Sequence, residues 1–355
     1  MKVLIAGGGT AGHINPGLAI ARKLQKDMSN VEIMFVGTNK GLETKLIPRE
    51  GFGLELIRVQ GFRRKISKDT LKSIAYVFLG MHDAKKLVRN FKPDVVIGTG
   101  GYVCGPVLFV ANLLKIPTII HESNAIPGVT NKILSRFVDC VCVSFDDAKK
   151  YFSNAKRVVV TGNPLRDGIR RGCHVTKRER AKVTIFGGSR GAKTVNNTVV
   201  DMINKYGSEF DFDITFATGE AQYKDVVSGV LCKRDNINIV PYIYDMPSVM
   251  ANSDLLITRA GAITLSEITA MGKASILIPS PYVTANHQEY NARALEKKGA
   301  SVVILEKDLN QDVLYNEIKN IIGNRQKLDD MAKKAASMGI LDASEKICNI
   351  IETIR

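Results

Sequence analysis

The feature that most limits how this chain can fold is a repeat of itself. The stretch PDVVIGTGGYVCGPVLFVANLLKIPTIIHES, residues 93–123, is matched by SDLLITRAGAITLSEITAMGKASILIPSP, residues 253–281, so that Asp94 answers Asp254 and Gly101 answers Gly261. KVLIAGGGTAGH near the start answers KVTIFGGSRGA in the same way, each an apolar run entering a glycine turn and then a helix-length pattern. Such runs alternating with amphipathic segments predict parallel sheets covered by helices. The strand-like runs are KVLIAG, EIMFVGT, LELIRV, DVVIGTG, PTIIHES and CVCVSF in the first half, then KVTIFGG, FDITFATG, INIVPY, DLLITRAG and ASILIPS in the second. The 355 residues exceed what one core usually serves. The pattern therefore predicts an α/β protein of two Rossmann-like parallel-sheet domains facing across a cleft. Their expected spans are 1–162 and 163–340, with the break near Gly162-Asn163-Pro164 and a helix over about 341–355 able to pack back on the first.

Ligands of open parallel sheets lie beyond the carboxyl ends of the strands. Glycine turns there present backbone N–H groups and a positive helix end to an anion, and this chain has them at 7–12, 100–105, 187–191 and 260–262. Gly7, Gly9 and Gly12 satisfy G-x-G-x-x-G, a dinucleotide fingerprint, but the acid that completes such a site belongs at the carboxyl end of the second strand. Glu32 opens that strand instead, and no further acid occurs before Glu43. A bound NAD or FAD is not expected.

The net charge of +15 calls for an anionic partner or surface. Residues 58–92 hold ten Lys or Arg against Asp69 and Asp83. Within them Leu71, Ile74, Phe78 and Met81 fall along one helix face, which suits either a membrane surface or a core. No apolar run is long enough to span a bilayer and no secretory signal is evident, so the cytoplasm is expected. The six cysteines, Cys173 among them, form no C-x-x-C pair and read as reduced, mostly buried thiols. The lone D-x-D, Asp211 to Asp213, precedes a strand at its amino end, so no metal is expected there.

Single residues leave alternatives. His13 directly follows the first glycine turn, as a packing residue or as a general base beside an anion. Glu267 lies near the start of the helix after Gly261, as a dipole-favoured acid or as a ligand for ribose hydroxyls. ANHQEYNA, residues 285–292, gathers amides suited to a solvated helix start or to sugar recognition.

Seven ordered motifs, GGGTAGHINPGLAIA, KPDVVIGTGGYVCGP, IHESNAIPGVTNK, TGNPLR, FGGSRGAKTVN, RAGAITLSEI and NHQEYNARALEKKGA, together resemble the MurG family of N-acetylglucosaminyltransferases. That family converts lipid I to lipid II in bacterial peptidoglycan synthesis. The resemblance implies a GT-B architecture, UDP-GlcNAc held mainly by the second domain, lipid I (undecaprenyl-pyrophosphoryl-MurNAc-pentapeptide) by the first, and no cofactor or metal. It implies donor contacts from Arg166, Ser189, Ile243, Ala262, Ile263, Thr264, Glu267 and Gln288, joined by Thr10, Ala11, Gly12 and Asn124 of the first domain. It makes His13 the first candidate for the base, with Glu122 and Glu267 behind it. Ala11, Ser123, Arg190 and Ala260 depart from the usual family residues. The basic amphipathic stretch would then rest on the anionic inner membrane leaflet at the cytoplasmic face of the cell membrane.

Two rival functions share some of these features. A UDP-sugar epimerase has the same two-domain architecture but needs acid and base groups flanking one sugar. A nucleic-acid binder would suit +15, yet no basic patch interleaved with aromatics and no nucleic-acid module is present, so no nucleic-acid partner is expected.

Overall fold

The computed structural model describes residues 1–60, 68–166, 168–169, 179–188, 191–283 and 286–355, with side-chain surroundings over the same residues apart from 68–74. The chain forms two compact units, Met1–Arg166 with Asp342–Arg355, and Asp167–Leu341.

The first unit is built on seven strands: β1 (Lys2–Gly7), β2 (Glu32–Gly37), β3 (Gly53–Leu56), β4 (Val95–Gly100), β5 (Thr118–Glu122), β6 (Cys140–Val143) and β7 (Val158–Val160). The second has six: β8 (Lys182–Phe186), β9 (Asp213–Ala217), β10 (Ile237–Val240), β11 (Leu255–Thr258), β12 (Ala274–Leu277) and β13 (Ser301–Val303). Their orders are β3-β2-β1-β4-β5-β6-β7 and β10-β9-β8-β11-β12-β13. Apart from β7 the two orders are the same, and each reverses direction beside its first strand, β1 against β4 and β8 against β11. Parallel sheets covered on both faces leave no wet side, and every residue of β4, β5, β6, β11 and β12 is buried.

The repeat has a physical counterpart. The Asp94 carboxylate accepts from the Lys2 amide at 2.7 Å while the Asp94 amide donates to Lys2 O at 2.8 Å. Asp254 makes the same pair with Lys182, both at 2.8 Å. Each aspartate thus locks the start of the central strand pair in its own sheet.

One face of the first sheet is covered by helices Ala11–Asp27 and Ala343–Ile354, whose Leu18, Leu24, Ile347 and Ile351 share a core with Val3, Ile5 and Ile97. The other face packs on helices Lys68–Phe91 and Cys104–Leu113 through Ala84, Val88, Val107 and Leu108. The expected apolar stripe of the helix Lys68–Phe91 splits. Phe78 is 64% exposed whereas Met81 packs on the core, followed by buried Ala84 and Val88. The side chains of Leu71 and Ile74 lie outside the described residues, as do residues 61–67 of the basic segment.

Strands β7 and β13, three residues each, have no counterpart among the expected strands. The run LELIRV stops pairing early because the Arg58 amide and guanidinium both turn to the Asp83 carboxylate. Among the described residues five cysteines are free thiols, and burial pushes Cys104 up to about 12. Cys173 lies outside the described residues.

Candidate functional site

In the first unit β1, β4 and β5 are neighbours, so the loops leaving their carboxyl ends meet. The Gly8 amide donates to Gly100 O at 3.3 Å. Gly101 has φ +89°, and a Cβ there would lie 2.6 Å from Gly8 O. Only glycine permits so close an approach in that backbone region.

Helix Ala11–Asp27 starts directly after this loop, with Thr10 at its cap and Ala11 and Gly12 in the first turn. The next residue, His13, lies against Gly100, where an added Cβ would be 2.5 Å from its Cδ2. His13 Nδ1 is 3.1 Å from Gly8 O and 3.4 Å from Thr10 Oγ1. A carbonyl oxygen only accepts, so this network assigns the proton to Nδ1 and leaves the Nε2 lone pair open. Nε2 has no hydrogen-bond partner among the described residues. His13 thus both packs on Gly100 and keeps Nε2 without a partner among the described residues, which accommodates either alternative.

Glu122 ends β5 and is 3% exposed. Its Oε1 accepts from the Asn124 amide at 2.9 Å and Asn124 Nδ2 at 3.1 Å, and its Oε2 accepts from the Gly128 amide at 3.1 Å and Asn131 Nδ2 at 2.8 Å. Four donors commit both oxygens to the loop. TGNPLR supports the same loop from β7: Asn163 Oδ1 accepts from Ser144 Oγ at 2.7 Å and Asn163 Nδ2 donates to Ser123 O at 3.2 Å. Arg166 closes this unit, lining a cavity of about 80 Å³ with Asn15, Arg22, Leu46 and Glu50.

Next to Glu122, His121 is fully buried with Nε2 3.1 Å from Gly162 O, and burial pushes its imidazole down to about 4. A histidine so lowered is neutral when folded but charges at about 6.5 when unfolded. Between those values the unfolded chain binds more protons, so stability falls as pH drops through that window, by about 1.4 kcal/mol per unit from this group. Urea unfolding at stepped pH should show that slope, and His121→Gln should flatten it.

The second unit carries a cavity of about 790 Å³ at the carboxyl ends of β8, β11 and β12. Its walls include Gly187, Gly188 and Gly191, Lys193 and Thr194 at the next helix start, Arg259, Gly261 and Thr264 after β11, and Ser280, Tyr282 and Gln288 after β12. That volume is in the range of small-molecule sites. Thr264 and Gln288, both expected donor contacts, face it, and Gln288 Oε1 accepts from the Ser280 amide at 2.9 Å. Ala262 and Ile263 open helix Ala262–Met271 behind Gly261, which places its first amides at the wall. Glu267, one turn along, is fully buried, and Ile243 is buried, flanked in sequence by the exposed Tyr242 and Tyr244. Ser189 and Arg190 lie outside the described residues. Asn291 of the polar cluster is buried, with Nδ2 donating to Ala260 O at 3.5 Å.

Two features, one in each unit, escaped the sequence reading. Arg259, held by Ile278 O and Pro279 O at 3.2 Å each, is ion-paired with Glu306, which also accepts from Thr194 Oγ1 at 3.0 Å. The second is Glu43. An acid does stand at the carboxyl end of β2 in space, because the Glu43 carboxylate turns back there, fully buried. Its Oε1 accepts from the Thr38 amide at 2.9 Å and Thr38 Oγ1 at 2.8 Å, and its Oε2 from the Gly9 amide at 2.8 Å. Burial pushes this carboxyl up, but the bonds from Gly9, its own amide and Thr38 outweigh that and hold it below the usual carboxylate range. The signal for it was the glycine spacing of GTNKGLE, where Gly37 and Gly41 make room for a side chain folded inward. Glu32 instead pairs on the surface with Lys2 at 3.1 Å, and Asp211 pairs with Lys319 at 2.8 Å.

Two like-ordered Rossmann sheets, with a glycine loop leading into a histidine-bearing helix on one and a cavity of small-molecule size on the other, have the GT-B architecture, and the family matches make the chain a glycosyltransferase. Residues 3–143 match the glycosyltransferase family 28 N-terminal domain and residues 182–347 the glycosyltransferase family 28 C-terminal domain. The chain belongs to glycosyltransferase family 28. It is 55% identical to a protein of Acetivibrio thermocellus named UDP-N-acetylglucosamine--N-acetylmuramyl-(pentapeptide) pyrophosphoryl-undecaprenol N-acetylglucosamine transferase, over 100% of this chain and 98% of the relative. A protein of the same name from Ruminiclostridium cellulolyticum is 52% identical over 100% of both chains. Among solved structures, MurG of Acinetobacter baumannii superposes with a TM-score of 0.82 at 28% identity, covering 99% of each chain.

Proposed function

We infer that this chain transfers GlcNAc from UDP-GlcNAc to the MurNAc C4 hydroxyl of lipid I, giving lipid II in peptidoglycan synthesis. The observation that carries this is end-to-end identity, above half, with a transferase of that name. The cavity of the second unit supports a nucleotide-sugar donor there, with its glycine loop and helix starts aimed at one space.

The roles proposed for the donor and sugar contacts follow the family resemblance, and those of His13 and Glu122 rest on their hydrogen bonds. The acceptor hydroxyl attacks the anomeric carbon, the bond to the UDP oxygen breaks, and the configuration inverts from α to β. Negative charge grows on the departing diphosphate, where amides at the starts of the helices Ala262–Met271 and Lys193–Tyr206 supply fixed dipoles. The proton of the attacking hydroxyl goes to His13 Nε2, the open acceptor of a ring whose other nitrogen is held. Glu122 keeps Asn124 in place beside that ring's loop. Gln288 is assigned to the sugar hydroxyls, Glu267 to the ribose, Ile243 to the base, and Arg166 and Ser189 to the donor's nucleotide end. Thr10, Ala11 and Gly12 are assigned to the sugar. UDP release from UDP-GlcNAc only when a lipid I analogue is present tests the reaction. Hydrolysis or epimerisation without acceptor would sink it.

A peripheral position on the anionic membrane surface at the cytoplasmic face belongs to the same proposal. No helix among the described residues is long and apolar enough to cross a membrane. Phe78 and Leu79 are exposed on helix Lys68–Phe91, Leu113 on its neighbour Cys104–Leu113, and Ile133 and Phe137 beyond, with Lys115, Lys132 and Arg136 interspersed. The Asn112 side chain bonds Phe137 O at 2.7 Å, which ties this apolar surface together. Phe78→Glu with Ile133→Glu should abolish co-sedimentation with vesicles rich in anionic lipid. Unchanged co-sedimentation would remove this surface from the proposal.

A further inference from the structure

The Gly8–Gly9 peptide joins Glu43 to His13. Its N–H, on Gly9, donates to Glu43 Oε2 at 2.8 Å. Its C=O, on Gly8, accepts from His13 Nδ1 at 3.1 Å. A trans peptide is a rigid plane whose N–H and C=O point in opposite directions, so gripping one end aims the other. We propose that Glu43 is a positioning residue for the transfer, holding the Gly8–Gly9 peptide so that His13 keeps its proton on Nδ1 and its lone pair on Nε2. This rests on the reading of His13 as the base.

The need for a grip follows from the glycines. Gly9 stands at φ +86° with no atom within 4 Å of where its Cβ would be. A peptide flanked by glycines turns over at low steric cost. Turned over, it would present the Gly9 N–H to His13 Nδ1. A donor there needs a lone pair on Nδ1, which moves the ring proton to Nε2, the nitrogen that has to accept the hydroxyl proton. A carboxylate has only acceptors to offer, so it tolerates the Gly9 N–H in one orientation alone.

The surroundings are fitted to a carboxylate. A Cβ on Gly8, Gly37 or Gly41 would come within 2.6, 2.6 and 1.8 Å of Glu43 side-chain atoms. Glutamine has the same shape but fails chemically: whichever way its amide is turned, the NH₂ faces the N–H of Gly9 or of Thr38. The same contacts leave Glu43 no oxygen for a nucleotide ribose, which separates this loop from a dinucleotide site in which that acid binds the cofactor.

A tautomer shift distinguishes positioning from plain structural support. The full chain would be labelled with ¹⁵N-histidine, and kcat measured for wild type, Glu43→Gln, His13→Asn and the double variant. Glu43→Gln is expected to move the His13 proton to Nε2 in the ¹⁵N spectrum. It should lower kcat about tenfold or more with the KM for UDP-GlcNAc within about twofold, and cost nothing further in the His13→Asn background. Retention of the Nδ1–H form, or a loss that multiplies with that of His13→Asn, would overturn the proposal. If His13→Asn alone leaves kcat near wild type, the base assignment falls, and the nitrogen spectrum still decides whether Glu43 sets the tautomer. Should Glu43→Gln not fold, Thr38→Val removes one donor to Oε1 without changing charge, and the same spectrum and cycle apply with a partial shift expected.

Discussion

His13→Asn should lower kcat by about 10²- to 10⁴-fold, the usual contribution of a positioned general base. Asparagine is the informative choice because its side-chain amide falls where Nδ1 does now. It can go on donating to Gly8 O, which His13 holds at 3.1 Å, so the loop keeps its shape while the Nε2 acceptor disappears. The loss should therefore sit in kcat, with little change in the KM for UDP-GlcNAc. Steady-state kinetics with a lipid I analogue at saturation read both constants. A kcat within a factor of about three of wild type would remove His13 from the chemistry, since no such base contributes so little.

The second large effect is expected at Gly191, on the donor side. Its φ is +73°, and a Cβ would lie 2.0 Å from Thr218 O and 2.9 Å from Gln222 Nε2. Thr218 O is itself held by Asn196 Nδ2 at 2.8 Å, and Asn196 is fully buried, so the carbonyl has no room to give way. Gly191→Ala must then displace the backbone at Gly191, which with Gly187 and Gly188 walls the cavity. Backbone strain of this kind costs about 1–3 kcal/mol. If the loss falls on donor binding, UDP affinity drops about tenfold to a hundredfold. Calorimetric titration with UDP checks this, and an affinity within twofold of wild type would separate the loop from the nucleotide.

Much of this site was legible in the chain because its signals are local. The glycine turns after β1, β4, β8 and β11 lie where short apolar runs meet helix patterns, and the run itself marks the strand end from which a ligand is held. Asp94 and Asp254 could be paired from the repeat alone, and each performs the same act in its own sheet. Glu122 was named only as a candidate base, and what its carboxylate holds was not legible. Its partners Gly128 and Asn131 follow within ten residues, yet nothing in their spacing says that they point at one carboxylate.

Glu43 shows the opposite limit. Read along the chain it is an acid a few residues too late to serve a cofactor, and its partner Gly9 is 34 residues away. The stripe Phe78 to Met81 has one hydrophobic periodicity but two destinations, because the covering elements stop partway along the helix. Strands β7 and β13 are too short to show a pattern, and only pairing with β6 and β12 defines them.

By itself the sequence determined the class of fold, the doubled strand order's likeness from half to half, and the strand ends at which chemistry is placed. These depend on periodicity and on glycine turns, which act over a few residues. Tertiary structure alone decided which nitrogen of His13 is open and what Glu43 and Glu122 hold. Those outcomes are set by burial and by donors and acceptors brought together from distant segments, where a buried polar group must find whatever partner the fold supplies.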